Sequence, residues 1–153
     1  MSTLGDAPVA ASGVVRAAFG DVVHERRGPS LVTSRARPTI LLVDDDDELR
    51  GLIAGLLRDE GYHTLCARTG AEAAAHARSS RPSLVLLDYR LGDESGSHVA
   101  RSLRAECGSA LPIVLASGCN ELPAHARELK AVGMLYKPFG IDELLSCLRR
   151  HAV

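Results

Sequence analysis

The sequence predicts a doubly wound α/β domain over residues 39–153, a five-stranded parallel sheet covered by helices on both faces, with residues 1–38 as an extension before it. Three observations carry that expectation. From Thr39 onward, short apolar runs alternate with amphipathic stretches, the pattern of repeated βαβ units. The strongest runs are continuously apolar rather than alternating, as strands covered on both faces must be. A chain of 153 residues accommodates one ordinary domain and a short extension, which nearly excludes a second folded domain.

Residues 1–38 come first. Gly5, Pro8, Gly13, Gly20, Gly28, Pro29 and Pro38 interrupt any long periodic pattern, so this segment is expected to be a mostly disordered leader. Its charge of +2 changes to −3 over residues 39–153, which places the boundary near Pro38. Val14, Val15, Ala18, Phe19, Val22 and Val23 share a helical face, but Gly13 and Gly20 weaken any helix there.

Within the domain the first strand is Ile40-Leu41-Leu42-Val43. Leu49, Leu52, Ile53, Leu56 and Leu57 follow at helical spacing, with Gly61 where a C-terminal cap belongs. His63 to Ala67 is a weaker strand, and Thr69-Gly70-Ala71-Glu72 has the form of a capping box opening an Ala-rich helix to about Ser79. Leu84-Val85-Leu86-Leu87 is the third strand and Gly96 to Glu106 the next helix. Ile113-Val114-Leu115-Ala116 is the fourth strand, followed by a helix over Leu122 to Ala131. Met134-Leu135-Tyr136 is the fifth, and Ile141, Leu144, Leu145 and Leu148 form the stripe of a last helix. The two weaker strands are expected at the sheet edges.

Composition narrows the function classes. Apolar residues make up 46% and charged residues 24%, close to the globular average. A formal charge of −1 supplies no positive field to gather nucleic acid, and 3% aromatic content leaves few stacking platforms. No apolar run approaches the ~18 residues of a membrane span, and no secretory signal opens the chain. Cys66, Cys107, Cys119 and Cys147 lie 41, 12 and 28 positions apart, so no Cys-x-x-Cys pair exists and the thiols are expected to be small half-buried fillers in a reducing cytoplasm.

The chemistry gathers at one rim. In an open parallel sheet the carboxyl ends of the strands share an edge, and ligands bind outside it. After the first strand stand Asp44, Asp45, Asp46 and Asp47; the third runs into Asp88, the fourth into Ser117 and the fifth into Lys137. Clustered carboxylates repel one another unless a cation sits among them, and hard oxygen ligands suit Mg2+. Magnesium favours one or two carboxylates plus phosphate oxygens, so one acid can serve as a nucleophile toward phosphorus while Lys137 and the metal balance the transferring charge. Asp46 and Asp47 are assigned instead to the start of the first helix, where acids complement the dipole.

Four segments in order resemble the response regulator receiver domain of two-component signalling: Ile40-Leu41-Leu42-Val43-Asp44-Asp45-Asp46; Leu86-Leu87-Asp88-Tyr89-Arg90-Leu91 with Gly96 beyond; Pro112-Ile113-Val114-Leu115-Ala116-Ser117-Gly118; and Tyr136-Lys137-Pro138-Phe139. The resemblance covers Thr39 to about Arg150. It implies a flavodoxin-like (βα)5 fold with strand order 2-1-3-4-5 and a cis bond before Pro138. It further implies Asp88 as phosphoacceptor, Asp44, Asp45, Asp88 and the backbone carbonyl of Arg90 as Mg2+ ligands, and Ser117 and Lys137 as holders of the phosphoryl oxygens. A sensor histidine kinase or histidine phosphotransfer protein would be the donor. With the chain ending just past the fifth helix, the signal is expected to leave by contact with a downstream protein, without direct nucleic-acid binding or membrane insertion. Beyond Mg2+-dependent self-phosphorylation and autodephosphorylation, no enzymatic activity is expected.

The sequence departs from the family at regulatory positions. Gly92 replaces a frequent Pro four residues beyond Asp88, which should loosen that loop. Met134 stands where many members carry an aromatic switch residue, and its flexible apolar side chain could still fill the pocket. Tyr136 is not expected to substitute, because neighbouring strand residues face opposite sides. Arg90 and Cys119 occupy positions that tune phosphoryl lifetime in the family. Two rivals remain: a phosphorylation-independent binding module, against which the intact acids argue, and an Mg2+-dependent phosphatase, which would need an acid where Arg90 stands. His24-Glu25-Arg26-Arg27-Gly28-Pro29 echoes the phosphorylation box of histidine kinases, but the flanking Gly20 and Gly28-Pro29 leave no length for paired helices. The remaining histidines show no metal-ligand spacing and are expected at the surface.

Overall fold

A computed structural model describes residues 36–153. The expected helix over Val14 to Val23, the His24 to Pro29 segment and most of the proposed leader lie outside the described residues. Five strands form one parallel sheet: β1 (Thr39–Val43), β2 (His63–Ala67), β3 (Leu84–Asp88), β6 (Ile113–Ser117) and β7 (Gly133–Tyr136). A two-stranded antiparallel ribbon, β4 (Arg90–Leu91) with β5 (Glu94–Ser95), interrupts the count after β3. The sheet order is β2-β1-β3-β6-β7, so the expected order 2-1-3-4-5 holds once the ribbon is set aside, with the two weaker strands at the edges.

The continuous apolar runs are explained by two separate layers of cover. Ile40, Leu42, Leu84, Leu86, Val114, Ala116 and Leu135 point to one face, where α1 (Asp47–Asp59) and α5 (Ile141–His151) contribute Ile53, Leu57, Leu144, Leu145 and Leu148. Leu41, Val43, Val85, Leu87, Ile113 and Leu115 point to the other, under α2 (Gly70–Ser80), α3 (Gly96–Cys107) and α4 (Leu122–Glu128). Each fully buried Leu or Ile contributes about 1.5–3 kcal/mol relative to exposure. Two members of the expected helical stripes turn outward: Leu52 is 71% exposed and Ile141 is also exposed.

Local chemistry sets the ends of the helices. Asp46 caps α1, its carboxylate accepting from the N–H groups of Glu48 and Leu49 at 3.0 Å each. At the other end Gly61 adopts φ +89°, donating to the Arg58 carbonyl while Tyr62 donates to that of Leu57, a complete Schellman closure. Thr69 caps α2 as expected, accepting from the Glu72 N–H, but the Glu72 carboxylate reaches back to the Arg68 N–H, one residue before the cap. The fourth helix stops at Glu128 rather than Ala131. Lys130 takes φ +50°, and the carbonyls of Leu129 and Lys130 accept hydrogen bonds from the Arg104 guanidinium on α3.

On β7, Met134 and Tyr136 are both exposed while Leu135 between them is buried. The alternation expected to set Tyr136 apart therefore does not separate it from Met134: two residues apart, they share a face. The Lys137-Pro138 peptide bond is cis, as the resemblance implied.

Candidate functional site: an acidic rim closed by a lysine

Strand register brings the chemistry together. Val43 pairs with Leu87, Leu87 with Leu115, and Ser117 with Tyr136, so β1, β3, β6 and β7 run out at one level. Asp44 and Lys137 are the next residues along their strands, and Asp88 and Ser117 are the last of theirs. Asp44 is 3%, Asp88 8% and Ser117 2% exposed, whereas Asp45 is open to solvent.

Lys137 Nζ lies 2.7 Å from Asp44 Oδ2 and 3.1 Å from Asp88 Oδ2, one ammonium shared between two buried carboxylates. Each acid is also held by backbone. Asp44 Oδ1 accepts from the Asp46 N–H at 2.9 Å, and Asp88 Oδ1 from the Arg90 N–H at 3.1 Å. Asp45 Oδ2 accepts from the Gly92 N–H at 3.0 Å. The last bond depends on a Gly92 backbone with φ +55°, a conformation that Pro, locked near −65° and lacking an N–H, could not supply. Gly92 thus ties its loop to an acid, a role that sequence reasoning, which expected only loosening, did not anticipate. Arg50 was also missed; it donates to the Asp44 carbonyl at 2.8 Å and pairs with Asp47.

Electrostatics at the rim are unbalanced. Burial pushes the Asp88 carboxyl above the ordinary carboxylate range, with the Asp44 charge adding to it, against the opposing pull of the Arg90 N–H and Lys137. Burial alone would lower Lys137, but the Asp44 hydrogen bond and the Asp88 charge outweigh it and raise the ammonium instead. One carboxylate oxygen each from Asp44, Asp45 and Asp88 lie within 4.8 Å of one another. Three hard oxygen donors carrying more negative charge than one lysine offsets are the donor set that fits Mg2+. A cleft lined by Arg68, Thr69, Gly92, Asp93 and Glu94 opens beside Asp45.

Ser117 is buried beside this group, its Oγ accepting from the Cys119 N–H at 3.2 Å, while its carbonyl accepts from the Lys137 N–H at 3.0 Å. Arg90 adjoins the rim through its amide. Tyr89, also missed from the sequence, follows Asp88 and stacks its ring on His125 at 3.9 Å between centroids. That contact, and the convergence of His125 with Cys119 and Glu121, sets His125 apart from the surface residue expected of it, whereas His63 and His98 are exposed as expected. An i, i+4 pairing of Glu121 with His125 was the signal available.

Comparison with known proteins agrees with this fold. The family described as the response regulator receiver domain matches residues 40–149. Among curated proteins, the chain is 38% identical over 113 residues to one from Mycobacterium tuberculosis named a probable transcriptional regulatory protein, TcrX, covering 72% of this chain and 48% of that one. It is 36% identical over 114 residues to the tetrathionate response regulatory protein TtrR of Salmonella typhimurium, covering 73% and 55%. The chain thus spans about half the length of the curated relatives it matches. Among solved structures, the chemotaxis protein CheY4 of Vibrio cholerae superposes with a TM-score of 0.71 at 28% identity, covering 76% of this chain and 99% of that one. The non-phosphorylated HemR receiver domain of Leptospira biflexa gives 0.69 at 30% identity, covering 76% and 94%.

Proposed function

The chain belongs to the response regulator receiver domain family, and from that premise we propose that Asp88 accepts a phosphoryl group from a phosphohistidine on a sensor histidine kinase or histidine phosphotransfer protein. Residues 39–153 constitute the receiver domain and residues 1–38 an extension of it. The observation that supports the reading best is the single ammonium of Lys137 shared between Asp44 and Asp88 at 2.7 and 3.1 Å, with Asp45 alongside.

An Asp88 carboxylate oxygen attacks phosphorus as the bond to the donor imidazole nitrogen breaks, and the electron pair leaves with the imidazole. Lys137 is close enough to Asp88 to exchange its carboxylate contact for a phosphoryl oxygen as negative charge spreads over the transferring group. The Ser117 hydroxyl, now accepting from the Cys119 N–H, keeps its own proton free to donate to that group. Asp44, Asp45, Asp88 and the Arg90 carbonyl would hold Mg2+, which supplies charge neutralisation and ligation of phosphoryl oxygen when bound. The rim takes no further part in turnover beyond self-phosphorylation and hydrolysis of its own aspartyl phosphate. The signal leaves through contact with a downstream protein, in keeping with a formal charge of −1 that offers no field for nucleic acid.

The test is incubation of the full chain with Mg2+ and a small acyl phosphate, followed by intact-mass measurement. One phosphoryl group is expected, absent with Asp88→Asn and absent when EDTA replaces Mg2+. Uptake that survives Asp88→Asn would overturn the assignment. A wild-type chain that neither takes up phosphate nor responds to beryllofluoride would be a phosphorylation-independent binding module.

A further inference from the structure

Away from the acidic rim, the described residues bring one other set of metal-ligating side chains together: Cys119, Glu121 and His125, with donor atoms within 4.8 Å of one another. The chain creates this set locally. β6 runs out at Ser117, Cys119 follows in the loop, Glu121 occupies the position before the first residue of α4, and His125 lies one turn further on the same side of the helix. The Glu121 N–H donates to Cys119 Sγ at 3.3 Å, which turns the thiol back toward the helix. Glu121 Oε2 then stands 4.0 Å from Cys119 Sγ and 3.7 Å from His125 Nε2.

The imidazole also packs against an aromatic ring. Its ring lies against that of Tyr89, centroids 3.9 Å apart and planes 18° from parallel, and its side chain is only 21% exposed. An i, i+4 Glu-His pair on a helix surface is a weak contact that requires neither a thiol nor a stacked ring. A tetrahedral centre bound at the usual lengths of about 2.0–2.3 Å places its donors roughly 3.3–3.6 Å apart; Glu121 Oε2 is already 3.7 and 4.0 Å from its two neighbours, and Cys119 and His125 lie within 4.8 Å of each other.

We propose that Cys119, Glu121 and His125 form a Zn2+ site that fastens the start of α4 to the loop after β6. Thiolate, imidazole and carboxylate together suit Zn2+ and disfavour Mg2+, and three protein ligands leave the fourth tetrahedral position to water. Binding transfers the Cys119 thiol proton to solvent and forms the zinc-sulfur bond without any change of oxidation state. None of the three side chains belongs to the acidic rim, so the proposal does not depend on phosphorylation of Asp88.

The test uses the reduced full chain in excess Mg2+, titrated with Co2+ as a spectroscopic stand-in. A thiolate-to-cobalt charge-transfer band and intense tetrahedral visible bands are expected at one equivalent, both bleached by equimolar Zn2+. Cys119→Ser should abolish the charge-transfer band. His125→Gln should weaken binding by at least the roughly tenfold that even an outer-shell partner is worth. Without any variant, Zn2+ should protect Cys119 from alkylation relative to Cys66, Cys107 and Cys147, read by peptide mass spectrometry. A charge-transfer band that persists in Cys119→Ser would overturn the site. So would a wild-type chain with no such band and alkylation unchanged by Zn2+, which would leave an ion pair beside a free thiol.

Discussion

At the scale of single residues, Asp88 is a carboxylate held buried at a cost. Its folded pKa is raised, chiefly by burial. Between the ordinary carboxylate value of 3.8 and that raised value the folded state binds more protons than the unfolded chain, so stability falls as pH rises through this window. Asp88→Asn removes the buried charge and keeps an acceptor for the Arg90 N–H. In EDTA at pH 7 the variant should melt higher than wild type, the difference shrinking as pH falls toward 3.8; a lower melting temperature at neutral pH would contradict the account. Lys137 is raised too, so its contribution is complete below 10.5 and lost as pH climbs through its folded value. A second residue carries a plainer cost: Thr64 Oγ1 is buried on β2 with no hydrogen-bond partner among the described residues. Thr64→Val keeps the shape without the unmet hydroxyl and should stabilise by about 1 kcal/mol in urea denaturation. Asp44, Asp45, Asp88, Ser117 and Lys137 were readable from the sequence because each is a polar group at the end of an apolar run. The Gly92 N–H on Asp45 and the Arg50 hydrogen bond to the Asp44 carbonyl were not, since both depend on which way a backbone turns.

At the scale of elements, the early end of α4 shows where reading a pattern stops. Apolar spacing continues to Ala131, but Lys130 enters the left-handed region without the Gly that would announce it. What holds that end comes from another helix: the Arg104 guanidinium donates to the carbonyls of Leu129 and Lys130. Arg104→Met should keep much of the aliphatic packing and leave those acceptors without their charged donor. A loss of about 1–3 kcal/mol is expected, with faster amide exchange concentrated in residues 122–131. Uniformly distributed exchange, or none, would show that Arg104 does not hold the helix end. By contrast, the caps at Thr69 and Gly61 were visible in advance, because they rest on short-range chemistry within one turn, and Asp46, expected only to complement the dipole, also caps α1.

At the scale of the whole molecule, the strand order follows from how strongly each strand demands cover. The runs centred on Leu41, Leu86 and Val114 became interior strands, and the mixed segments at His63 and Met134 became edges. The charge at the shared rim has a global consequence. A divalent cation that binds only the folded protein stabilises it by RT ln(1 + [L]/Kd), about 2.7 kcal/mol at a hundredfold excess over Kd. Mg2+ should therefore raise the melting temperature in a saturable way, and Asp45→Asn should shift that dependence to higher Mg2+ with little change in its absence. A melting temperature indifferent to Mg2+ would exclude the acids as its site.

The hydrogen bond from Lys137 to Asp44 joins positions 93 residues apart. During translation, the first strand with its acids emerges long before the lysine that neutralises them, and domains fold as units rather than strand by strand. A nascent chain arrested before β7 would therefore display Asp44 and Asp88 without the ammonium they share. The contacts of Lys137 with Asp44 and Asp88 form only once the last strand has been made, so a chain terminated before it lacks the closure of its own rim.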